Sequence, residues 1–494
     1  MRRALIALIA LITAVGILIT EENWRGKRAF ENYKREAEKK GERFDLADLI
    51  PAPVPDDENF FKDSFVARIL NPSPNLANNA GLADREEFNI FRGDSENWPT
   101  RDGSWQKGNV TDLEEWQQYF RKLANSASTK ADAFPVPTKP GLPAVDVLRG
   151  LSSFDAAVEK LHAAALRPYA RLPLNYESGF EVVGEMLPSL AGIKRYGTFL
   201  KLRTVAELQN GESKKALADV RLLLRLTDSL RNQPFVISHL VRLAMVSLTI
   251  QPIYEGLAQH RWSDDQLVEL DRQLAQLDFL ADYRFAMRGE RAFAIDSLER
   301  QRITREQKIV DDSSGTNRVI TVSFRFTPSA FFYQNELAFA RLHEQFALPL
   351  VDLDARIVSP SAARKATTAV QEQTKHYSPY RMIALMTFTG VNRSVIRFAV
   401  GQNSADLARV ACALERYFLA HGNYPESLEL LAPQFIEKLP HDIINGQPLK
   451  YRRGTNGRYI LYSVGWNETD DGGVRGTGKH GWENGDWVWQ LPAQ

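Results

Sequence analysis

Residues 4–20, ALIALIALITAVGILIT, form an uncharged apolar run behind Arg2 and Arg3, and no other feature limits the possible folds as strongly. At about 1.5 Å per residue the run spans roughly 25 Å, close to the roughly 30 Å hydrocarbon core of a bilayer. Trp24 follows where an interfacial aromatic anchor belongs, and the charged stretch from Arg25 to Lys40 ends the apolar segment. The expectation is a retained signal-anchor or transmembrane helix over residues 1–20. A cleaved signal peptide is the competing reading. Its best cleavage pattern, Ala14-Val15-Gly16, would leave Ile17, Leu18 and Ile19 on the mature chain and cut the apolar region short. Arg25, Lys27, Arg28, Lys34 and Arg35 outnumber Arg2 and Arg3, so a literal positive-inside count opposes the outward direction that an N-terminal export signal implies.

The rest of the chain is globular in composition. Its 494 residues are 44% hydrophobic and 25% charged, enough for two or three domains. Lys and Arg total 62 against 61 acidic residues, a formal charge of +1, so no global field recruits nucleic acid. The single cysteine, Cys412, excludes an intramolecular disulfide and any CxxC motif; between Ala411 and Ala413 it reads as a core filler.

Residues 21–55 are expected to be a charged juxtamembrane helix and then a spacer, because Pro51, Pro53 and Pro55 favour an extended chain between membrane and body. Residues 56–150 are rich in Asn, Pro, Gly and Trp and should be loops with short helices. Trp98, Trp105 and Trp116 either anchor these loops or form an aromatic ligand platform. Residues 151–365 predict a helical body. Ala216, Val220, Leu223, Thr227 and Leu230 recur at helical spacing between the Asn210-Gly211 turn and Pro234. A further helix begins near Phe235 with a kink at Pro252. Ser263 and Gln266 fit a capping box ahead of Leu267, Leu270, Leu274 and Leu277. The alternation in residues 319–326, VITVSFRF, predicts a short β insertion. Met382 to Phe388 is apolar, but Asn392, Arg393 and Arg397 interrupt it too early for a second crossing.

The last region, residues 366–494, holds an amphipathic helix with Leu407, Val410, Leu414 and Tyr417, ended at Gly422 and Pro425, then β-prone runs at KYRR, GRYILYSVG and DWVWQL. The phrases ALERYFLAHGNYPESLELLAP from Ala413, LPHDIINGQPLKY, GRYILYSVG and a Gly/Asp-rich loop before GDWVW resemble the C-terminal domain of type II secretion major pseudopilins, over about the last 90 residues. That resemblance implies a small helix-on-sheet module in an exported chain. It does not imply a filament, since more than 350 other residues replace the family's N-terminal helix and peptidase site. The family binds calcium in the loop before its final strand, which here offers Asn467, Asp470, Asp471 and Asp486 as oxygen ligands. A flexible Gly/Asp loop is the alternative, because Arg475, Lys479 and His480 intrude.

The expected fold is therefore mainly α: an N-terminal transmembrane helix, a helical body, and a small C-terminal α+β module with a short antiparallel sheet. No GxSxG elbow, SxxK pair or phosphate-cradling loop is present. His343 and Glu344, in a run with Glu336, lack zinc spacing and read as a solvated or locally paired helix face, whereas His239 lies among apolar neighbours and reads as a packing residue. These observations predict a single-pass inner-membrane envelope protein, mostly periplasmic, that acts as a non-enzymatic interaction or scaffold protein for an envelope partner. The alternatives are a glycan- or peptide-binding module and a hydrolase without a recognisable motif.

Overall fold

A computed structural model of the chain describes residues 2–70, 99, 102–125, 134–311, 318–376, 378–454, 457–478 and 481–492. Trp98, Lys479 and His480 lie outside these residues. Helix α1 runs unbroken from Arg2 to Lys39. Leu5, Ile9, Ile12 and Ile17 stand exposed along its apolar half, no part of which is buried against the chain. Thr13 and Thr20 donate their hydroxyls to the carbonyls of Ile9 and Gly16 at 2.9 and 2.8 Å, so their polar groups are satisfied within the helix, as a water-free setting requires.

The proline run is not the spacer its sequence suggested. It lies on the body as a strap: Arg171 Nε donates to Pro51 O at 2.9 Å, Arg167 Nη1 to Asp56 O at 3.2 Å, and Phe60 N to Tyr169 O at 2.8 Å. Extended backbone leaves its carbonyls free, and distant arginines take them up. Short helices follow: α2 (Ser64–Leu70), α3 (Leu113–Ala124), α4 (Pro143–Leu151) and α5 (Asp155–Ala165). Asp112 caps α3 by accepting from Glu114 N and Glu115 N at 3.0 and 3.1 Å. Pro143 starts α4, where a missing N–H costs nothing. A hairpin of β1 (Asp102–Ser104) and β2 (Asn109–Thr111) precedes α3.

Helices α6 (Glu181–Gln209) and α7 (Ser213–Asp228) form an antiparallel pair around Asn210-Gly211, where Gly211 takes φ +80°. Ala216, Val220, Leu223, Thr227 and Leu230 are all buried. Helix α8 (Val236–Ala258) continues through Pro252 and is long and apolar enough to cross a membrane, yet most of it lies inside the protein. The indole of Trp262 packs on its last turn at Gly256, where any Cβ would overlap the ring. Helix α9 (Asp264–Leu274) starts at the Ser263/Gln266 capping box and buries Leu267, Leu270 and Leu274. Helix α10 (Phe279–Thr304) follows and packs on α8.

A hairpin of β3 (Glu306–Asp311) and β4 (Arg318–Ser323) links α10 to α11 (Ser329–Phe346), so the expected β insertion is a two-stranded antiparallel ribbon. A small pair, β5 (Val351–Asp352) and β6 (Ile357–Val358), leads to α12 (Pro360–Thr374) and α13 (Pro379–Asn392). Helix α14 (Val395–His421) ends at Gly422 in the left-handed conformation. It packs on a three-stranded antiparallel sheet of β7 (Lys450–Arg453), β8 (Tyr459–Ser463) and β9 (Trp487–Gln490), in the order β7-β8-β9.

The cores cross the sequence boundary near residue 365. One joins α8, α9 and α10 to α14 and the C-terminal sheet; the other joins the strap and α2–α7. Helix α8 feeds both, with Ile250 and Ile253 in the first and Met245 in the second.

Candidate functional site

The charged half of α1 docks along α11, and the two helices run parallel. Asn23 Oδ1 accepts from Ala330 N at 2.7 Å, and Tyr33 OH donates to Glu344 Oε2 at 2.5 Å. Gly26 lets the helices approach, since a Cβ there would sit 3.4 Å from Ala330 Cα. Phe30, Ala37 and Phe44 close a small core with Ile295, Leu337 and Ala340. Beyond the helix, Glu42 meets Arg288 and Arg291 at 2.7 Å each. Burial works against that carboxylate, but the two guanidiniums overcome it and hold Glu42 below its ordinary pKa. The apolar helix is thus an extension of the body rather than a tether.

A groove of about 320 Å³ opens between α8 and α14. Leu240, Leu243, Val400 and Gly401 line its walls, and Arg397 and Trp482 stand at its mouth with the guanidinium 5.4 Å from the indole centroid. Gly401 leaves room for the Leu243 side chain, which a Cβ there would overlap. Arg397 is exposed, with the Trp482 ring beneath its guanidinium. An apolar slot with one cation at its rim can take an apolar segment flanked by an acidic group.

Three charge clusters contribute no side chain to the lining of this groove. Arg242, on α8, pairs with Asp282, and His239 Nε2 lies 2.9 Å from Gln233 O. Burial and the Arg242 charge push His239 down to about 3, so it is neutral in the fold. In a second cluster Arg203 holds both oxygens of Asp219 at 2.8 and 3.1 Å, with His162 Nε2 at 3.0 Å from the same carboxylate. Arg203 also lies 3.4 Å from Glu207, which burial and then the Asp219 charge push above its ordinary pKa. One guanidinium between two buried carboxylates is a packing solution that brings no substrate space with it. In the third cluster His260 Nδ1 lies 2.6 Å from Glu415 Oε1, Tyr424 OH donates to Glu415 Oε2 at 3.1 Å, and the imidazole stacks on Phe418 at 4.5 Å. His260 adopts a left-handed φ of +53°, and its side chain is 38% exposed.

Several residues singled out from sequence have other surroundings than expected. His343 and Glu336 are buried rather than on a solvated face, since that side of α11 packs on α10, α13 and the docked half of α1. His343 Nδ1 lies 3.0 Å from Phe339 O, and burial lowers its pKa to about 3. Glu336 is pushed up to about 8 by burial and then by Glu299. Glu344 faces out and receives Tyr33. Trp105 packs on Trp489 at 5.5 Å, and Trp116, 1% exposed, heads an aromatic row through Phe120, Phe134 and Phe154, so neither forms a ligand platform. Cys412 is wholly buried.

Asn467, Asp470, Asp471 and Asp486 share one loop, but their polar atoms face protein partners. Asp486 accepts from Asp471 N at 3.2 Å and Gly473 N at 2.6 Å. Asp470 meets Lys450 at 3.2 Å, Tyr462 OH at 3.0 Å and Gly472 N at 3.1 Å. Asn467 Nδ2 donates to Asp471 Oδ2 at 2.8 Å. Among the described residues no group of three or more His, Cys, Asp or Glu side chains is placed to hold a metal. The Gly/Asp pattern that suggested calcium is here the chemistry of turns, in which side-chain oxygens accept nearby amides. The groove itself was missed because its walls come from segments far apart in the chain; only the charge of Arg397 within an apolar run hinted at it. No family model, curated protein or solved structure matches the chain.

Proposed function

We propose that the protein is a single-pass inner-membrane protein whose body faces the periplasm and works as a non-enzymatic interaction protein. The observation that carries this reading is the unbroken helix α1, apolar and free over one half and fastened to the body over the other. Such a helix fixes the height and orientation of the body above a membrane, which suits a scaffold. The groove between α8 and α14 is where an envelope partner's apolar segment docks, with an acidic residue against Arg397. The resemblance of the C-terminal region to an exported family supports the periplasmic side.

A C-terminal alkaline phosphatase fusion, active only outside the cytoplasm, tests the direction, and alkaline extraction tests the anchor. The expected result is an active fusion that resists extraction. A soluble mature chain starting near Ile17, or an inactive fusion, overturns the placement. A photocrosslinker at Gln106, on the groove rim, should give a discrete adduct in intact cells that Val400→Asp abolishes; an adduct indifferent to Val400 removes the groove from the proposal.

A second reading rests on His260. A buried carboxylate that orients a partly exposed imidazole is an arrangement used for proton transfer, and loss of a hydrolytic activity in His260→Ala with unchanged unfolding would favour it.

A further inference from the structure

The parallel packing of α1 and α11 places one end of the body at the membrane surface. Asn23 lies at Ala330, Gly26 against Ala330 and Tyr333, and Tyr33 at Glu344, so the chain leading into α11 lies on the side from which the apolar half of α1 departs. Asn23 is only about 4.5 Å along the helix axis from Thr20, the last residue of the apolar run. Anything level with the start of α11 therefore sits at headgroup depth when α1 spans a bilayer.

The turn from Phe324 to Pro328 occupies that level. Its flanks are held: Arg305 Nη1 donates to Thr327 O at 2.7 Å, Arg305 Nη2 donates to Ser329 Oγ at 3.0 Å, and Phe324 packs edge-on against Phe332 at 5.7 Å. Its middle is offered outward, with Phe326 94% exposed beside exposed Arg325. Ile303, 66% exposed, lies in the last turn of α10, two residues before Arg305, and faces water at the same end. Trp24, 58% exposed with Arg28 over its ring at 5.1 Å, completes the level. The nearby Glu21 and Glu22 carboxylates are taken up by Arg25 at 4.0 and 3.6 Å. A phenylalanine fixed at the tip of a braced turn, flanked by arginine, has the chemistry of an interfacial anchor: apolar ring among acyl chains, guanidinium at lipid phosphate.

We propose that this end of the body is a second membrane contact, in which Phe326 and Ile303 enter the interfacial layer of the bilayer that α1 crosses and Arg325 binds its phosphates. The inference rests on the reading of α1 as a membrane span. Two contacts would stop the body from pivoting about α1 and hold the α8/α14 groove at a set angle to the membrane.

The test uses the full chain reconstituted in vesicles of phosphatidylethanolamine and phosphatidylglycerol. Nitroxide labels are placed by Leu11→Cys, Phe326→Cys and Ala355→Cys; Cys412 is wholly buried and the unsubstituted chain controls for its labelling. Ala355 is exposed beyond the other end of α11, which is about 27 Å long. The expected result is that collisions with oxygen exceed those with a water-soluble nickel chelate at positions 11 and 326, with the reverse at 355. A label at 326 as open to the chelate as the one at 355, with position 11 still in lipid, overturns the second contact and leaves the span intact. A label at position 11 open to the chelate removes the span and the inference with it.

Discussion

Helices α1 and α8 are both long and apolar enough to cross a bilayer, yet the apolar half of α1 stands exposed while most of α8 is buried in the protein. The apolar half of α1 carries no charged side chain, and its two threonines bond back to their own helix. Helix α8 carries His239, Arg242, Gln251 and Glu255 at buried positions, each with protein partners. Arg242 Nε donates to Thr227 O at 3.2 Å, Gln251 Oε1 accepts from Trp105 N at 2.6 Å, and Glu255 Oε1 accepts from Thr111 N at 3.0 Å. Hydropathy identifies a helix that must leave water. Its polar side chains decide whether lipid or protein can receive it, because a charged group at a bilayer centre costs at least about 2.5–3.5 kcal/mol, whereas inside a protein hydrogen-bonded partners offset part of the desolvation.

The same substitution in both helices should separate them most widely. Ile250→Asp puts an unpaired charge into a wholly buried position and should lower unfolding stability by about 4 kcal/mol or more. Leu11→Asp should leave thermal unfolding of the body unchanged and reduce only membrane retention. Equal loss of stability in both variants would break the comparison.

Glu255→Ala sharpens it at the level of one polar partner. It strands the Thr111 amide and the Gln251 amide that hold the β1–β2 hairpin on α8, and should cost about 2–3 kcal/mol in denaturant unfolding. Burial raises the pKa of Glu255, with hydrogen bonds from Gln251 and Thr111 opposing it. A variant as stable as the parent would show the hairpin docks by apolar contact alone.

The buried histidines give a smaller effect with a defined sign. His239 and His343 stay neutral in the fold down to about pH 3, whereas in the unfolded chain they protonate below about pH 6.5. The stability they contribute is therefore complete above about pH 6.5 and lost as pH falls toward 3, by up to about 1.4 kcal/mol per pH unit for each. Glu336, held near 8, acts in the other direction, losing stability as pH rises from about 4.5 to 8. The readout is thus the difference between parent and His343→Leu in urea unfolding from pH 7 to about pH 5; the variant should lose less on acidification, and parallel curves would show that His343 does not titrate on unfolding.

The smallest effect is expected from calcium. With the Asp470, Asp471 and Asp486 carboxylates already accepting from protein donors, the melting temperature should rise by less than about 1 °C in calcium. A rise of several degrees that Asp486→Ala abolishes would return the loop to the calcium reading.

Elements whose cause is local were legible from the residues alone. The helix over residues 4–20, the Asn210-Gly211 turn, the capping box at Ser263, the stop at Gly422 and the strands around residues 450–463 each follow from side chains within a turn or two. The tertiary structure decided everything that joins distant segments: that the proline run is a strap held by Arg167 and Arg171, that Trp105 lies on Trp489, that His343 is buried, and that the charged half of α1 is fastened to α11. The physical reason is that a charged or aromatic side chain has the same local signature whether it faces water or a partner some 300 residues away. Phe30, Tyr33 and Ala37 show a thin apolar stripe on the charged helix, but nothing near them in the chain says that Ala330 and Glu344 lie against that side.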